Sequence, residues 1–182
     1  TKLASGARNG DVFLWDVASG KRERKQHITR NVVTSMQWMP GEATFAQTSE
    51  DKLLRLWDSR ALSKPAIEFT RQQYFPCCCD ISADGNLILT GSNGFDGHGC
   101  YVTLWDARKG GKVVEMQGHT QRVTGCVFIK TPNESGSTTK QLAATASIDG
   151  TIRLWDIISG ECLELALHSD VKFNDLAPVC GP

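Results

Sequence analysis

The sequence predicts an all-β fold in which one four-stranded antiparallel unit repeats along the chain. Three observations carry this. The dipeptide Trp-Asp occurs at Trp15-Asp16, Trp57-Asp58, Trp105-Asp106 and Trp155-Asp156, at intervals of 42, 48 and 50 residues, and self-similarity at such a period marks a repeat architecture. Each pair closes a β-type run, namely VFLWD, LLRLWD, YVTLWD and TIRLWD, rich in the β-branched and aromatic residues that strands favour. Turn residues bound nearly every run, and helical periodicity is absent.

Strands b, c and d of one unit open the chain over 1–26. The second unit, 27–70, places strand a at 32–39 (VVTSMQWM), a Pro40-Gly41 turn, strand b at 44–49, a turn at Ser49-Glu50-Asp51-Lys52, strand c at 53–58 and strand d at 66–70. In the third, 71–117, the strands fall at 75–82, 87–92, 101–106 and 112–117, with Ala83-Asp84-Gly85-Asn86 turning between the first two. The fourth, 118–168, has strands at 122–129, 142–147, 151–157 and 161–167. Residues 169–182 start a next unit or supply a closing strand, with Val171-Lys172-Phe173 as its strand a. Ser49 and Trp57 stand 8 residues apart, as do Ser147 and Trp155, but Ser92 and Trp105 stand 13 apart, so the third b–c loop (NGFDGHG, 93–99) carries 5 extra residues. The fourth a–b loop carries 8 extra, and its TPNESGSTTKQ composition over 131–141 is that of a surface loop.

Over nearly all of residues 3–170 this pattern resembles the WD40 repeat family. The fourth repeat is the strongest, with Gly118-His119 followed by LAATASIDGTIRLWD at 142–156. The resemblance implies WD40 β-propeller blades, four-stranded sheets set around a channel. It also implies a buried tetrad of His119, Ser147, Asp149 and Trp155, in which the indole N–H donates to the hydroxyl and the His bridges hydroxyl and carboxylate. Such a network stabilises only when every member is satisfied. The second repeat keeps Ser49, Asp51 and Trp57. Its His27 lies two residues early, so Thr29 takes the His place. The first and third repeats lack the full set. A ring of this family usually has about seven blades and needs roughly 300 residues. About four repeats are present, so the sequence reads as part of a longer propeller with blades missing on both sides.

Composition bounds the function. Lys plus Arg is 20 and Asp plus Glu is 20, a net charge of zero. That argues against a broad nucleic-acid surface and an electrostatic membrane anchor. No apolar run approaches the roughly 20 residues of a membrane span. No signal peptide is visible, although the chain opens at Thr1. The 7 cysteines are odd in number and include the run Cys77-Cys78-Cys79, which reads as reduced, partly buried thiols in a cytosolic protein. A sequon at Asn133 matters only in a secreted chain, which nothing else supports.

Sites with chemistry are few. The basic run Lys21–Lys25 lies on a blade's outermost strand, where charges discourage sheet-to-sheet pairing. Residues 93–99 feed a strand rather than a helix and lack a Gly-Lys-Ser/Thr ending, so phosphate binding is a poor reading. Metal binding by Asp96, His98 and Cys100 has the right ligand types but only one short segment to supply them. The thiols of Cys77–Cys79 alternate faces and cannot converge on one ion. No nucleophile elbow is present, and neither cofactor nor metal is expected. Surface recognition remains. The b–c and d–a loops form one rim, where the family resemblance implies that partners dock. Candidate rim residues are Arg8, Arg30, Glu50, Asp96, His98, Arg122 and Ile148. The expected function is a non-catalytic scaffold or adaptor for other proteins. Segments 30–40, 47–60 and 92–106 carry a narrower likeness within the family that implies cilia and ciliary transport. Alternatives are a substrate receptor or chromatin reader, a propeller enzyme, and a static part of an axoneme.

Overall fold

A computed structural model of the chain describes residues 1–27, 31–129, 141–167 and 171–177. Four antiparallel sheets follow one another. The first holds β1 (Lys2–Gly6), β2 (Asp11–Asp16) and β3 (Lys21–His27). The second holds β4 (Val33–Trp38), β5 (Thr44–Ser49), β6 (Leu54–Asp58) and the short β7 (Ile67–Glu68). The third holds β8 (Pro76–Ile81), β9 (Leu87–Ser92), β10 (Val102–Asp106) and β11 (Gly111–Met116). The fourth holds β12 (Val123–Ile129), β13 (Leu142–Ser147), β14 (Thr151–Asp156) and β15 (Cys162–Leu167). Within each sheet the strands pair in chain order, and there is no helix among the described residues. These are propeller blades. The expected strand d at 66–70 is regular only at Ile67–Glu68, although Ala66 N (2.8 Å to Leu56 O) and Phe69 N (3.0 Å to Leu54 O) continue the pairing on both sides; Pro65, with no N–H to give, stands just before it.

The core lies between the blades. Strand alternation sends Leu54 and Leu56 to one face of β6 and Trp57 to the other. Leu54 and Leu56 pack with Phe69 of their own blade and with Ile81, Ile88 and Trp105 of the next, while Trp57 packs with Phe45 and backwards with Val12 and Leu14. The third and fourth blades repeat the arrangement, with Val102, Leu104 and Met116 against Val123, Cys126 and Trp155. Three of the four Trp-Asp indoles therefore plug the seam behind their own blade: Trp57, Trp105 and Trp155 are all at most 2% exposed. At two seams strand b carries a glycine where a valine of the next strand a fills the space. A Cβ on Gly91 would lie 2.4 Å from Val123 Cγ1, and one on Gly6 would lie 2.2 Å from Val33 Cγ1.

The innermost strand of every complete blade carries a register shift at the same place, between Val33 and Ser35, Pro76 and Cys78, and Val123 and Gly125. A bulge re-aims the side chain it frees. Here it turns Thr34 sideways to donate to Pro76 O at 2.6 Å, and Thr124 to donate to Phe173 O at 2.6 Å. Residues 171–177 form no strand, contrary to the expectation for Val171-Lys172-Phe173. Phe173 nevertheless meets the fourth blade through the same bond that Pro76 makes with the second. The run Cys77-Cys78-Cys79 on β8 splits between seams, Cys78 joining the third-to-fourth core and Cys79 the second-to-third. Burial pushes the Cys77 and Cys79 thiols up to about 12, so both stay neutral packing groups.

Candidate functional site

The buried polar network of the fourth blade forms around Thr145, not Ser147. Trp155 Nε1 donates to Thr145 Oγ1 at 2.8 Å, and His119 Nε2 meets the same oxygen at 2.8 Å. His119 Nδ1 lies 3.0 Å from Asp149 Oδ2, Thr151 Oγ1 donates to Asp149 Oδ1 at 2.6 Å, and Thr120 N donates to Asp149 Oδ2 at 2.9 Å. Nδ1–H donates to the Asp149 carboxylate, so Nε2 accepts from the Thr145 hydroxyl, and the tautomer follows from the network. Ser147 sits two residues away on the same face, donating to Gln121 O at 3.1 Å and accepting from Asp149 N at 3.1 Å. It fixes the turn rather than the indole. Burial holds the His119 imidazole below its usual range despite the adjacent Asp149.

The other blades keep the indole bond and change the rest. The acceptor stands ten residues before the Trp in Ser5 (2.8 Å) and Gln47 (3.0 Å), and fifteen before it in Thr90 (2.9 Å), where the insertion intervenes. In the second blade Ser49 donates to Asp51, but the bridging cation is Arg55, which the sequence reading passed over. Its guanidinium bonds Asp51, Ser49 Oγ at 3.3 Å and Glu68 Oε2 at 3.0 Å. The assigned substitute at Thr29 lies outside the described residues. His27 belongs not to the second blade but to β3 of the first, where it stands 2.8 Å from Asp11 Oδ1 beside Lys25, 2.8 Å from Oδ2. In the third blade Gly94 takes the carboxylate's place, and a Cβ there would lie 2.0 Å from Gly99 C. The inserted loop folds its own backbone over the position, which is why no Asp can occupy it.

The b–c turns and the starts of the strands a share one end of every blade, as Glu50 N to Val32 O (3.0 Å), Asn93 N to Phe75 O (3.1 Å) and Ile148 N to Arg122 O (3.2 Å) show. On this rim Arg8, Glu50, Asp96, His98 and Arg122 are exposed and Ile148 is half-buried; Arg30 lies outside the described residues. Glu50 and Arg122 both act on the Cys77 thiol, whose burial-raised pKa the Arg122 charge partly offsets and the Glu50 charge adds to. Arg8 sits on the first blade, apart from them.

The loop 93–99 is a built element. Asp96 and Gly97 both have positive φ, 52° and 77°, and Phe95 and His98 exchange backbone bonds of 2.9 and 3.0 Å. This is the tight turn that Asp-Gly favours. Gly97 N donates to Thr120 O of the fourth blade at 2.8 Å, and Ser92 Oγ donates to Gly99 O at 2.6 Å. Pinned at tip and base, the loop holds Phe95 on the rim 70% exposed. Asp96 and His98 stand out in the loop's sequence, and Phe95 does not. The signal was an aromatic immediately before Asp-Gly. Cys100 is buried while Asp96 and His98 face outward, so the loop does not gather them around one ion.

Two groups of ionisable residues set an acid limit. The folded chain disfavours protonating buried His119, so the unfolded state binds that proton more readily and stability falls as pH drops below about 6.5. Asp11, bonded by Lys25 and His27, and Asp58, clamped by Arg60, are both lowered to about 2. Their stabilisation is present above the unfolded carboxylate range near 4 and is lost as pH falls towards about 2. Urea melts at pH 7, 5.5 and 3 are expected to show both losses, and His119→Gln is expected to flatten only the first.

Seam-plugging indoles, consecutive antiparallel blades and a polar network joining turn to strand define a propeller of repeated Trp-Asp units. The WD40 family model, "WD domain, G-beta repeat", matches residues 20–58, 66–106 and 110–156, and the chain belongs to that family. Each match begins at the outer strand of one sheet and ends on the third strand of the next, so the sequence repeat itself ties neighbouring blades together. The chain is 28% identical over 162 residues to Periodic tryptophan protein 2 of Arabidopsis thaliana, covering 87% of this chain and 16% of that protein. It is 25% identical over 172 residues to Nuclear distribution protein nudF of Aspergillus niger, covering 92% and 35%. It is 26% identical over 190 residues to the Ribosome biogenesis protein WDR12 homolog of Ixodes scapularis, covering 87% and 42%. The chain thus spans less than half the length of each of these relatives. WD40 domains typically mediate protein–protein interactions and are generally non-catalytic scaffolds.

Proposed function

We propose that the chain is a non-catalytic docking scaffold whose loop rim holds a partner protein, with Phe95 as its main anchor. The observation that carries this is an aromatic ring exposed at the tip of a loop bonded at both ends. Binding energy concentrates in a few aromatic or Arg anchors, and a side chain already fixed loses little entropy on docking. Glu50 and Arg122 of the adjoining blades, with Asp96 and His98 on the loop beside the ring, give the polar surround. The partner is a protein rather than nucleic acid or membrane, in keeping with the zero net charge.

The context we favour is a large cytoplasmic assembly, cilium or axoneme included. Segments 30–40, 47–60 and 92–106 resemble WD repeat-containing protein 31, and that likeness supports the ciliary setting. The names of the relatives, nuclear distribution and ribosome biogenesis, belong to other assemblies and support the broader scaffold reading. Phe95→Ala is expected to weaken partner capture by the full-length protein about tenfold or more, the size of an anchor loss, with an unchanged melting temperature. Glu50→Lys is expected to change mainly the salt dependence of capture. Equal recovery of partners with both variants would exclude this rim.

A further inference from the structure

The outer strands of the four blades differ in how they guard their free edges. An edge strand offers a row of unpaired N–H and C=O groups, and proteins blunt such edges with charges or by keeping them short. β3 carries Lys21, Arg22, Arg24 and Lys25, and β7 is two residues long. β11 turns Lys112 and Glu115 to the face it shares with Trp105 and Thr103. β15 has none of these devices. It stands last in its sheet, all six residues of CLELAL are exposed, and Glu164 is its one charge. Residues opposite one another in a ladder share a face, so Leu165 and Leu167 stand with Arg153 and Thr151. The two leucines are 49% and 65% exposed.

Arg153 adds a charge to this apolar edge. It stands two residues before Trp155, as Arg55 does before Trp57. Arg55 answers two carboxylates, Asp51 and, opposite it on the outer strand, Glu68. In the fourth blade Asp149, the counterpart of Asp51, bonds His119, and the residue opposite Arg153 is Leu165. Among the described residues Arg153 has no ion pair, and its Nη1 donates to the Cys162 sulfur at 3.8 Å, a solvent-exposed contact. Gly118 gives the guanidinium its room, since a Cβ there would lie 2.5 Å from Nη1. The end of the side chain has thus already crossed to β15. It lies about one strand spacing, ~4.8 Å, from the line that an added strand would take, within the reach of a glutamate.

We infer that the free edge of β15 receives an extended segment of a partner protein as a fifth strand, with apolar side chains against Leu165 and Leu167 and a carboxylate for Arg153. Main-chain bonds along such an edge hold the segment, and its alternate side chains select it. A second copy of this chain does not supply the carboxylate: a two-fold antiparallel pairing of two β15 strands keeps each Glu164 on the face of Leu154, away from Arg153. The inference rests on the chain being a protein-docking scaffold, but it concerns the outer side of the fourth blade and none of the rim residues.

The test uses the full-length protein and the fluorescently labelled, capped peptide Thr-Val-Thr-Glu-Thr-Val-Thr, with Gln or Lys in place of Glu as controls, read by anisotropy. The Glu peptide is expected to bind saturably, and the Lys peptide at least about tenfold more weakly, which corresponds to 1.4 kcal/mol. Leu165→Lys, at an exposed position, is expected to keep the melting temperature and lose the Glu peptide. Arg153→Met, which keeps the alkyl stem, is expected to lower the affinity for the Glu peptide to that for the Gln peptide. If Arg153→Met unfolds the fourth blade, the order of the three peptides on the unchanged protein decides the charge. No saturable binding of the Glu peptide, binding untouched by Leu165→Lys, or equal binding of Glu and Lys each overturns the inference. So does a dimer in sedimentation that Leu165→Lys dissociates, which would give the edge to a second copy. Phe95→Ala leaves peptide binding unchanged, so failure of the rim and failure of the edge are read separately.

Discussion

Trp155→Ala is expected to lower stability by about 3–5 kcal/mol, the usual cost of deleting a buried aromatic side chain. In a chain of this size that is a fall in melting temperature of roughly 10 °C. Two effects combine. The indole fills the seam with Val123, Cys126 and Met116, and its loss leaves a cavity between two blades rather than within one. It also removes the donor to Thr145 Oγ1. Thr145→Val separates the second effect from the first, because it keeps the volume while leaving Trp155 Nε1 and His119 Nε2 without partners. That variant is expected to cost about 2–4 kcal/mol, from two orphaned buried groups. Ser147→Ala, which disturbs only turn bonds, is expected to cost about 1 kcal/mol. Differential scanning calorimetry of the three variants ranks them, and a larger loss for Ser147→Ala than for Thr145→Val would return the indole's acceptor to Ser147.

Arg55→Ala is expected to be comparably damaging, again by about 3–5 kcal/mol, because removing one partner of a buried pair strands the other's charge. The Arg55 and Asp51 side chains are 8% and 10% exposed, whereas Glu68 is 51% exposed and can find water. Asp51 is therefore the carboxylate left without a counter-charge, held only by the neutral donors Asn31 Nδ2, Ser49 Oγ and Leu53 N. The double variant Arg55→Met, Asp51→Asn is expected to recover a large part of the loss, since replacing a buried ion pair as a unit is far milder than breaking it. Urea denaturation of both variants measures this, and no recovery in the double variant would contradict the stranded-charge account.

The blade pattern was legible because its signals are local. Trp-Asp ends a strand, Pro40-Gly41 and Asp84-Gly85 mark turns, and alternation puts one face of each strand in a seam. The identity of the tetrad hydroxyl was not. Thr145 and Ser147 lie on the same face of β13, and the turn-based spacing favours the Ser. Trp155 is in register with Ala143, and its indole reaches one same-face residue further along, to Thr145. That reach is a property of side-chain direction across the pair, although the ten-residue spacing from Ser5, Gln47 and Thr145 to each Trp would have exposed it. Arg55 escaped notice because a cation on a strand usually reads as a solvated edge, and only the seam shows it buried. The third repeat read only as lacking the full set; the cause, the loop backbone crossing Gly94 at Gly99, is visible only in three dimensions. Phe95 was hidden inside a loop read for its glycines and polar side chains.

The rim as a protein-docking face is tested most directly by a photo-crosslinking amino acid placed in the full-length protein at Phe95 and, separately, at Ile158. The two positions are matched in exposure, 70% and 74%, but Ile158 lies in the turn between β14 and β15, at the opposite end of the blades. Crosslinks to a discrete protein partner are expected from position 95 and not from position 158. Crosslinks from position 158 alone, or equally from both, would contradict the assignment.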